Sequence, residues 1–323
     1  MLEKIAGAVD APCADGRSRV QRLAGWVSPL AAVCFAMALT GCSIKKIAIN
    51  MVGNALADSG STFASDDDPE LVAAAVPFGL KTIESLLAQS PNHKGLLLAA
   101  CSGFTQYAYA FVQQPADYVE AQDLARATEL RARAKKLYLR AVDYGMRGLE
   151  AEFAGFRDQL RKNPDAALAK TTRKQVPLIY YTAGAWAAAF ALDITDSELS
   201  VNQTLIEKMM ARALALDEGW ELGTLHDFFI SWEAGHASTG GSIEKAREHY
   251  FRARELSAGK RVSPLVSFAE SVLVSQQKKK EFETLLTEAL QFDIAKAPPE
   301  QKLANVIGQR RAKWLLSRID ELF

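Results

Sequence analysis

Cys42 is the residue of this chain whose surroundings most clearly specify a reaction. It closes the run Leu39-Thr40-Gly41-Cys42. A thiol preceded by small and apolar residues at the end of an apolar stretch is a lipobox: the sulfur takes a diacylglyceryl group, and cleavage before it leaves a lipidated N-terminus. The flanks agree, because Arg17, Arg19 and Arg22 precede an apolar segment, residues 26–39 (WVSPLAAVCFAMAL), too short to span a bilayer as a helix. Residues 1–41 therefore read as a signal peptide that is removed, and Cys42 as the lipid attachment site. Two or three acyl chains, each buried CH₂ contributing about 0.8 kcal/mol, hold a protein stably where one chain does not. A core helix that happens to end in LTGC is the alternative.

The other chemistry-bearing residues do not assemble into a catalytic pattern. His93, His226, His236 and His249 form no HExxH, and Cys101 stands alone once Cys13 and Cys34 leave with the leader and Cys42 carries lipid. Neither a zinc cluster nor an intrachain disulfide can be built from that set. Residues 59–65 hold serines without GxSxG, and Asp66-Asp67-Asp68 lacks the alternation and closing Glu of an EF-hand. Thr239-Gly240-Gly241 has no Lys-Ser/Thr at P-loop spacing and reads as a turn between helices. A cell-wall hydrolase would need a carboxylate in a cleft; Glu84, Glu152 and Glu233 qualify only as carboxylates on helices. The expectation is a non-enzymatic protein with no cofactor and no metal.

Aromatic residues are the remaining candidates. Trp220, Phe228, Phe229 and Trp232 gather around His226, and Tyr180, Tyr181 and Trp186 form a second group. Packing between helices is the ordinary use of such residues. A surplus lines a pocket, and Tyr180, Tyr181, Trp186, Trp220, Phe229 and Trp232 are taken as the ligand- or partner-lining candidates. The basic run Gln309-Arg310-Arg311-Ala312-Lys313-Trp314 reads as a solvated face with Trp314 turned inward, its alternative role being to dock an acidic partner.

The elements that position these residues are helices. From Asp68 onward apolar residues recur at helical spacing and no alternating strand pattern competes. Asp68-Pro69, Ser90-Pro91, Asn163-Pro164 and Ser263-Pro264 each place a capping side chain before a proline, so four helix starts are expected there. Ala134-x3-Tyr138-x2-Ala141, Ile206-x3-Met210-x2-Ala213, Ala246-x3-Tyr250-x2-Ala253 and Phe282-x3-Leu286-x2-Ala289 repeat a small or apolar, large, small pattern. It is similar to the second helix of a tetratricopeptide repeat. Ala213, Ala253 and Ala289 stand 40 and 36 residues apart, against about 34 for the standard unit. Tyr180-x2-Ala183-Gly184-x2-Ala187 adds a first-helix pattern, followed by an insertion at residues 195–201. The fold class expected is all-α, a tetratricopeptide-like helical-repeat solenoid with degenerate, expanded repeats; a generic amphipathic bundle is the alternative. The domains are 1–41 signal peptide, 42–67 lipid-anchored tether with a short helix, and 68–323 the helical domain.

Charge adds a boundary. Without Lys4, Arg17, Arg19 and Arg22, and without Glu3, Asp10 and Asp15, the 38 basic and 38 acidic residues become 34 and 35. A balanced surface argues against nucleic acid as a partner. The richest later apolar run, residues 183–192, is of helix-core length, so the membrane is expected to be met only through the lipid.

Four segments together resemble the TatT family, the tetratricopeptide-type lipoprotein component of tripartite ATP-independent periplasmic (TRAP) transporters. They are residues 96–112 (LLLAACSGFTQYAYAFV), 180–192 (YYTAGAWAAAFAL), 240–264 (GGSIEKAREHYFRARELSAGKRVSP) and 303–323 (LANVIGQRRAKWLLSRIDELF). The resemblance implies a periplasmic accessory lipoprotein, a homo-oligomer with a trimer as one candidate, whose partner is the transporter's extracytoplasmic solute-binding protein. It implies a hydrophobic ligand as candidate cargo, and it carries over no catalytic residue. Ser43 is not the aspartate that retains lipoproteins in the inner membrane, so the periplasmic face of the outer membrane is favoured. A general scaffold lipoprotein of an envelope assembly or secretion machine is the second reading.

Overall fold

The computed structural model describes residues 51–53, 55 and 60–323 apart from Thr239. The lipobox, Cys42 and residues 1–41 lie outside the described residues. Among those described, regular structure is helical, with no strand. After the short α1 (Gly60–Ala64) the chain forms α2 (Pro69–Gln89) and α3 (Lys94–Ala108), which runs through a π-turn (Tyr109–Gln113) into α4 (Gln114–Val119). Then come α5 (Leu124–Glu152), α6 (Phe156–Lys162), α7 (Pro164–Ala169), α8 (Val176–Leu192), α9 (Ser197–Ser200) and α10 (Gln203–Leu216). The last stretch holds α11 (Thr224–Gly235), α12 (Ile243–Ser257), α13 (Ser263–Phe268) with its π-turn (Ala269–Leu273), α14 (Lys279–Gln291), α15 (Lys302–Ser317) and α16 (Ile319–Leu322).

Neighbouring helices pack in series: α3 with α5, α5 with α8, α8 with α10, α11 with α12, and α14 with α15 and α13. All twelve residues of the four repeated patterns are buried, on α5, α10, α12 and α14. Small residues let neighbouring backbones approach, and Tyr138, Met210, Tyr250 and Leu286 fill the space between. The apolar side chains form two clusters. One runs from Leu80 to Phe229, the other from Ile230 to Leu315. The boundary falls within α11, whose Leu225 and Phe229 belong to the first and whose Ile230 belongs to the second.

Two of the four expected helix starts are found. The Asp68 carboxylate accepts from the Glu70 and Leu71 amides, and the Asn163 side chain accepts from Ala166, each before an N1 proline. Ser90-Pro91 is instead a turn, with α3 beginning at Lys94 under an Nδ1 cap from His93. Ser263 is already inside α13, because its hydroxyl is committed to Asp227. Apolar length was also underread: Pro69–Gln89 and Lys94–Val119 are each long and apolar enough to cross a membrane. Here the second packs its apolar face on α5 and α8, and the first is tied to α5 by Glu84. The π-turn has a local cause, since Pro115 lacks an N–H and its ring cannot tolerate a regular carbonyl four residues earlier.

The tightest helix crossing is at Gly145 on α5. A Cβ there would lie 1.9 Å from Thr182 Oγ1 on α8 and 2.9 Å from Cys101 Sγ on α3. Burial pushes the Cys101 thiol up to about 12, so it is a small apolar filler and not a nucleophile. Gly145→Ala should therefore force three helices apart and lose about 1–3 kcal/mol of stability in urea unfolding.

Candidate functional site

The sequence-predicted aromatic residues are brought together in a different grouping from the one expected. Tyr180 and Tyr181 of α8 meet Trp220, which sits in a 3₁₀ turn (Trp220–Leu222) before α11; the ring centroids are 4.9 to 6.1 Å apart and edge to face. Trp186 is not with them, being one of the buried core residues. A second stack runs along α11: Phe228 on Trp232 at 5.2 Å, and Trp232 on His236 at 4.2 Å. Phe229 is buried, with its ring stacked on His249 at 4.9 Å.

Tyr180, Tyr181 and Trp220 keep some accessible surface. Burial nevertheless pushes the Tyr180 and Tyr181 phenols up, so protein crowds groups that water still reaches. Tyr109 shows the same combination more sharply. It is 47% exposed, yet burial and the nearby Glu270 charge push its phenol up to about 12.

Behind the first aromatic group lies a polar cluster that the sequence did not announce. Arg261 is almost wholly buried, 4% exposed at the side chain, and donates to Leu222 O, Thr224 Oγ1, Ser263 Oγ and the Asp227 carboxylate. Asp227 Oδ1 is buried without a hydrogen-bond partner. Burial raises the Asp227 carboxyl despite its guanidinium neighbour. Glu221, Leu222 and Gly223 run at φ 46°, 57° and 84°, consecutive left-handed residues of which two carry a Cβ. Such backbone persists only where the surroundings impose it, and it gathers at functional sites. The one sequence cue was the pair Gly219 and Gly223 bracketing this turn.

Histidine supplies a second buried network. His226 Nδ1 lies 2.7 Å from His249 Nδ1, and its Nε2 lies 3.2 Å from Glu218 Oε1. A carboxylate only accepts, so His226 carries its proton on Nε2 and its Nδ1 accepts from His249 Nδ1–H. Burial first, and the His249 field second, push His226 down to about 4. Arg252 donates to both Glu218 oxygens at 2.8 and 2.7 Å and holds that carboxyl down at about 2. Among the described residues no group of three or more His, Cys, Asp or Glu could hold a metal ion.

The three hydrolase carboxylates are structural. Glu84 accepts from Lys81 and Tyr144 and pairs with Arg140; burial works to raise it, but these partners prevail and hold it low, the wrong direction for a general acid. Glu152 pairs with Lys94 at 2.9 Å, and Glu233 accepts from the Ser242 amide.

The basic run of α15 is split: Arg310 and Lys313 are exposed and Trp314 packs inward as expected, but Arg311 is buried. Arg310 forms a bidentate pair with Glu70 at 2.6 and 2.7 Å. Arg311 is 8% exposed and is held between Asp117, at 2.9 Å, and Glu270, with Trp314 under its guanidinium at 4.3 Å. Burial opposes the Arg311 charge, yet the two carboxylates keep it firmly protonated. Through Arg310 and Arg311 this run joins the last long helix to the first ones. It also brings both π-turns together, since Tyr109 and Glu270 face the same guanidinium.

The described residues define an all-α protein whose aromatic groups keep accessible surface on α8, the Trp220 turn and α11. The model of the TRAP transporter T-component family matches residues 65–323, and the chain belongs to that family. A protein of Treponema pallidum (strain Nichols), described as uncharacterized, is 29% identical over 313 residues, covering 90% of this chain and 97% of that one. Family membership makes this chain an accessory component of a TRAP transporter system in the cell envelope.

The His226 pair has a pH signature. Its pKa falls from an unfolded value near 6.5 to about 4, so its contribution to stability is present above the higher value and is lost as pH drops between them. Glu218 acts lower, below 4.5. Thermal midpoints across pH 7 to 4 should fall more steeply for the native chain than for His226→Gln, which lacks the more strongly depressed imidazole and keeps only that of His249 in the network.

Proposed function

We propose that the mature chain is a lipoprotein anchored through Cys42 on the periplasmic face of the outer membrane, where it binds the cognate extracytoplasmic solute-binding protein of its transporter. The observation that carries this reading is the paired-helix body with accessible aromatic surface on α8, the Trp220 turn and α11. Stacked helix pairs of the tetratricopeptide type present a concave face suited to a protein partner. Tyr180, Tyr181, Trp220 and Trp232 line the ligand- or partner-facing surface, and Trp186 and Phe229 support it from the core. The cargo is a ligand with an apolar body. Identical copies assemble into an oligomer, for which a trimer is our candidate.

Two measurements test this. Tagged mature protein recovered from its own cells should retain a periplasmic solute-binding protein; recovery of outer-membrane assembly or secretion components in its place would favour the general scaffold reading. Replacing Cys42 by Ala should move the protein from the membrane to the soluble fraction with its melting temperature unchanged. Loss of folding in that variant would make Cys42 a core residue and not an anchor.

A further inference from the structure

Three aromatic rings meet beside a carboxylate that has no cation of its own. Tyr180 crosses Tyr181 at 71° and Trp220 at 60°, and Tyr181 crosses Trp220 at 88°, so the rings stand as a corner. Accessible aromatic face carries the negative side of the ring quadrupole and attracts cations. Glu221 follows Trp220 directly, in the left-handed turn that fixes both. It is exposed, accepts one hydrogen bond at 3.0 Å from Gln301 Nε2, and forms no ion pair among the described residues.

The charge around the corner is unbalanced. Glu221, Asp227 and Glu300 are acidic; burial first and the Glu300 charge second raise the Glu221 carboxyl, against the pull of Arg261 and the Gln301 hydrogen bond. Arg261 cannot answer them all, because its guanidinium is enclosed by Thr224, Ser263, Leu222 O and Asp227. Asp227 Oδ1 is still left without a donor. Trp220 and Glu221 are consecutive in one turn, and Arg261 ties that turn, through Leu222 O and Thr224 Oγ1, to the Asp227 carboxylate, which puts the rings and carboxylates in one region. Excess negative charge beside electron-rich ring face disfavours an anion and favours a cation.

We propose that this corner binds the ammonium group of an amine-bearing ligand, with Tyr180, Tyr181 and Trp220 taking the cation and the adjoining alkyl chain, and Glu221 supplying the counter-charge. The inference rests on the reading that these aromatic residues line the ligand surface, and it names the chemical class of that ligand.

Isothermal titration of the mature chain with three probes of equal length tests it: n-hexylamine as its ammonium ion, n-hexanol and n-hexanoate. Hexylammonium should bind about ten-fold or more tightly than hexanol, and hexanoate most weakly. Glu221→Gln keeps an amide for Gln301 to pair with, and should erase most of the amine preference while leaving hexanol binding unchanged. Glu300→Gln, at an exposed position, is a second variant, and should weaken the amine alone by about two- to three-fold. Equal binding of hexanoate or hexanol, an amine preference untouched by both substitutions, or no binding of any probe would each overturn the assignment. Hexanol binding without amine preference sinks the cation site and leaves an apolar ligand surface standing. Failure to capture a solute-binding protein would sink the transporter partner and leave the titration result intact.

Discussion

The Arg311 guanidinium, buried between Asp117 and Glu270, is the interaction on which the rest of the structure depends. The apolar side chains divide into two clusters whose boundary is inside α11, so apolar contact alone leaves a seam. Arg311 spans it: Asp117 belongs to α4, 194 residues earlier, and Glu270 to the π-turn after α13. A buried charge is tolerated only when paired, and removing one partner of such a pair costs on the order of 3–5 kcal/mol. Around this pair the contacts are redundant. Trp314 lies under Arg311 and beside Tyr118, and Arg310 reaches Glu70 at the start of α2. Screening weakens the exposed Glu70 pair, so the buried one dominates.

That closure explains why the aromatic residues are useful where they are. Tyr180 and Tyr181 come from α8 and Trp220 from the turn before α11, and all three rings pack on the first cluster next to its boundary with the second. Arg261 secures the same neighbourhood from the other side, linking the start of α13 to the Trp220 turn and to Asp227. The left-handed run at Glu221 and Leu222 is the local cost of aiming Trp220 at α8. A rigid corner with accessible rings and unspent negative charge follows from those constraints, and it suits a binding component of a transport system better than a reacting centre.

Local features were legible in the sequence because they depend on near neighbours. The Asp68 and Asn163 caps act within three residues, and the patterns around Tyr138, Met210, Tyr250 and Leu286 record which face of each helix is buried. Failures came where a side chain had a distant partner. Arg310 and Arg311 read as solvated because Glu70 and Asp117 lie some two hundred residues away in the chain. Ser263 read as a cap because Asp227 was not known to claim its hydroxyl. The pairing of His226 with His249 required the packing of α11 on α12, and the exchange of Trp186 for Trp220 beside the tyrosines required the meeting of the Trp220 turn with α8. Family resemblance supplied the transport context that no spacing of residues in this chain encodes.

One buried ion-pair triad, Asp117–Arg311–Glu270, joins two apolar clusters into a single folding unit. Hydrogen exchange read by mass spectrometry on the native chain and on Arg311→Met tests it directly. The native chain should lose protection in residues 80–229 and 230–315 together, and the variant should expose the C-terminal cluster first while the N-terminal one stays protected. Unchanged, simultaneous exchange of both clusters in Arg311→Met would contradict the claim.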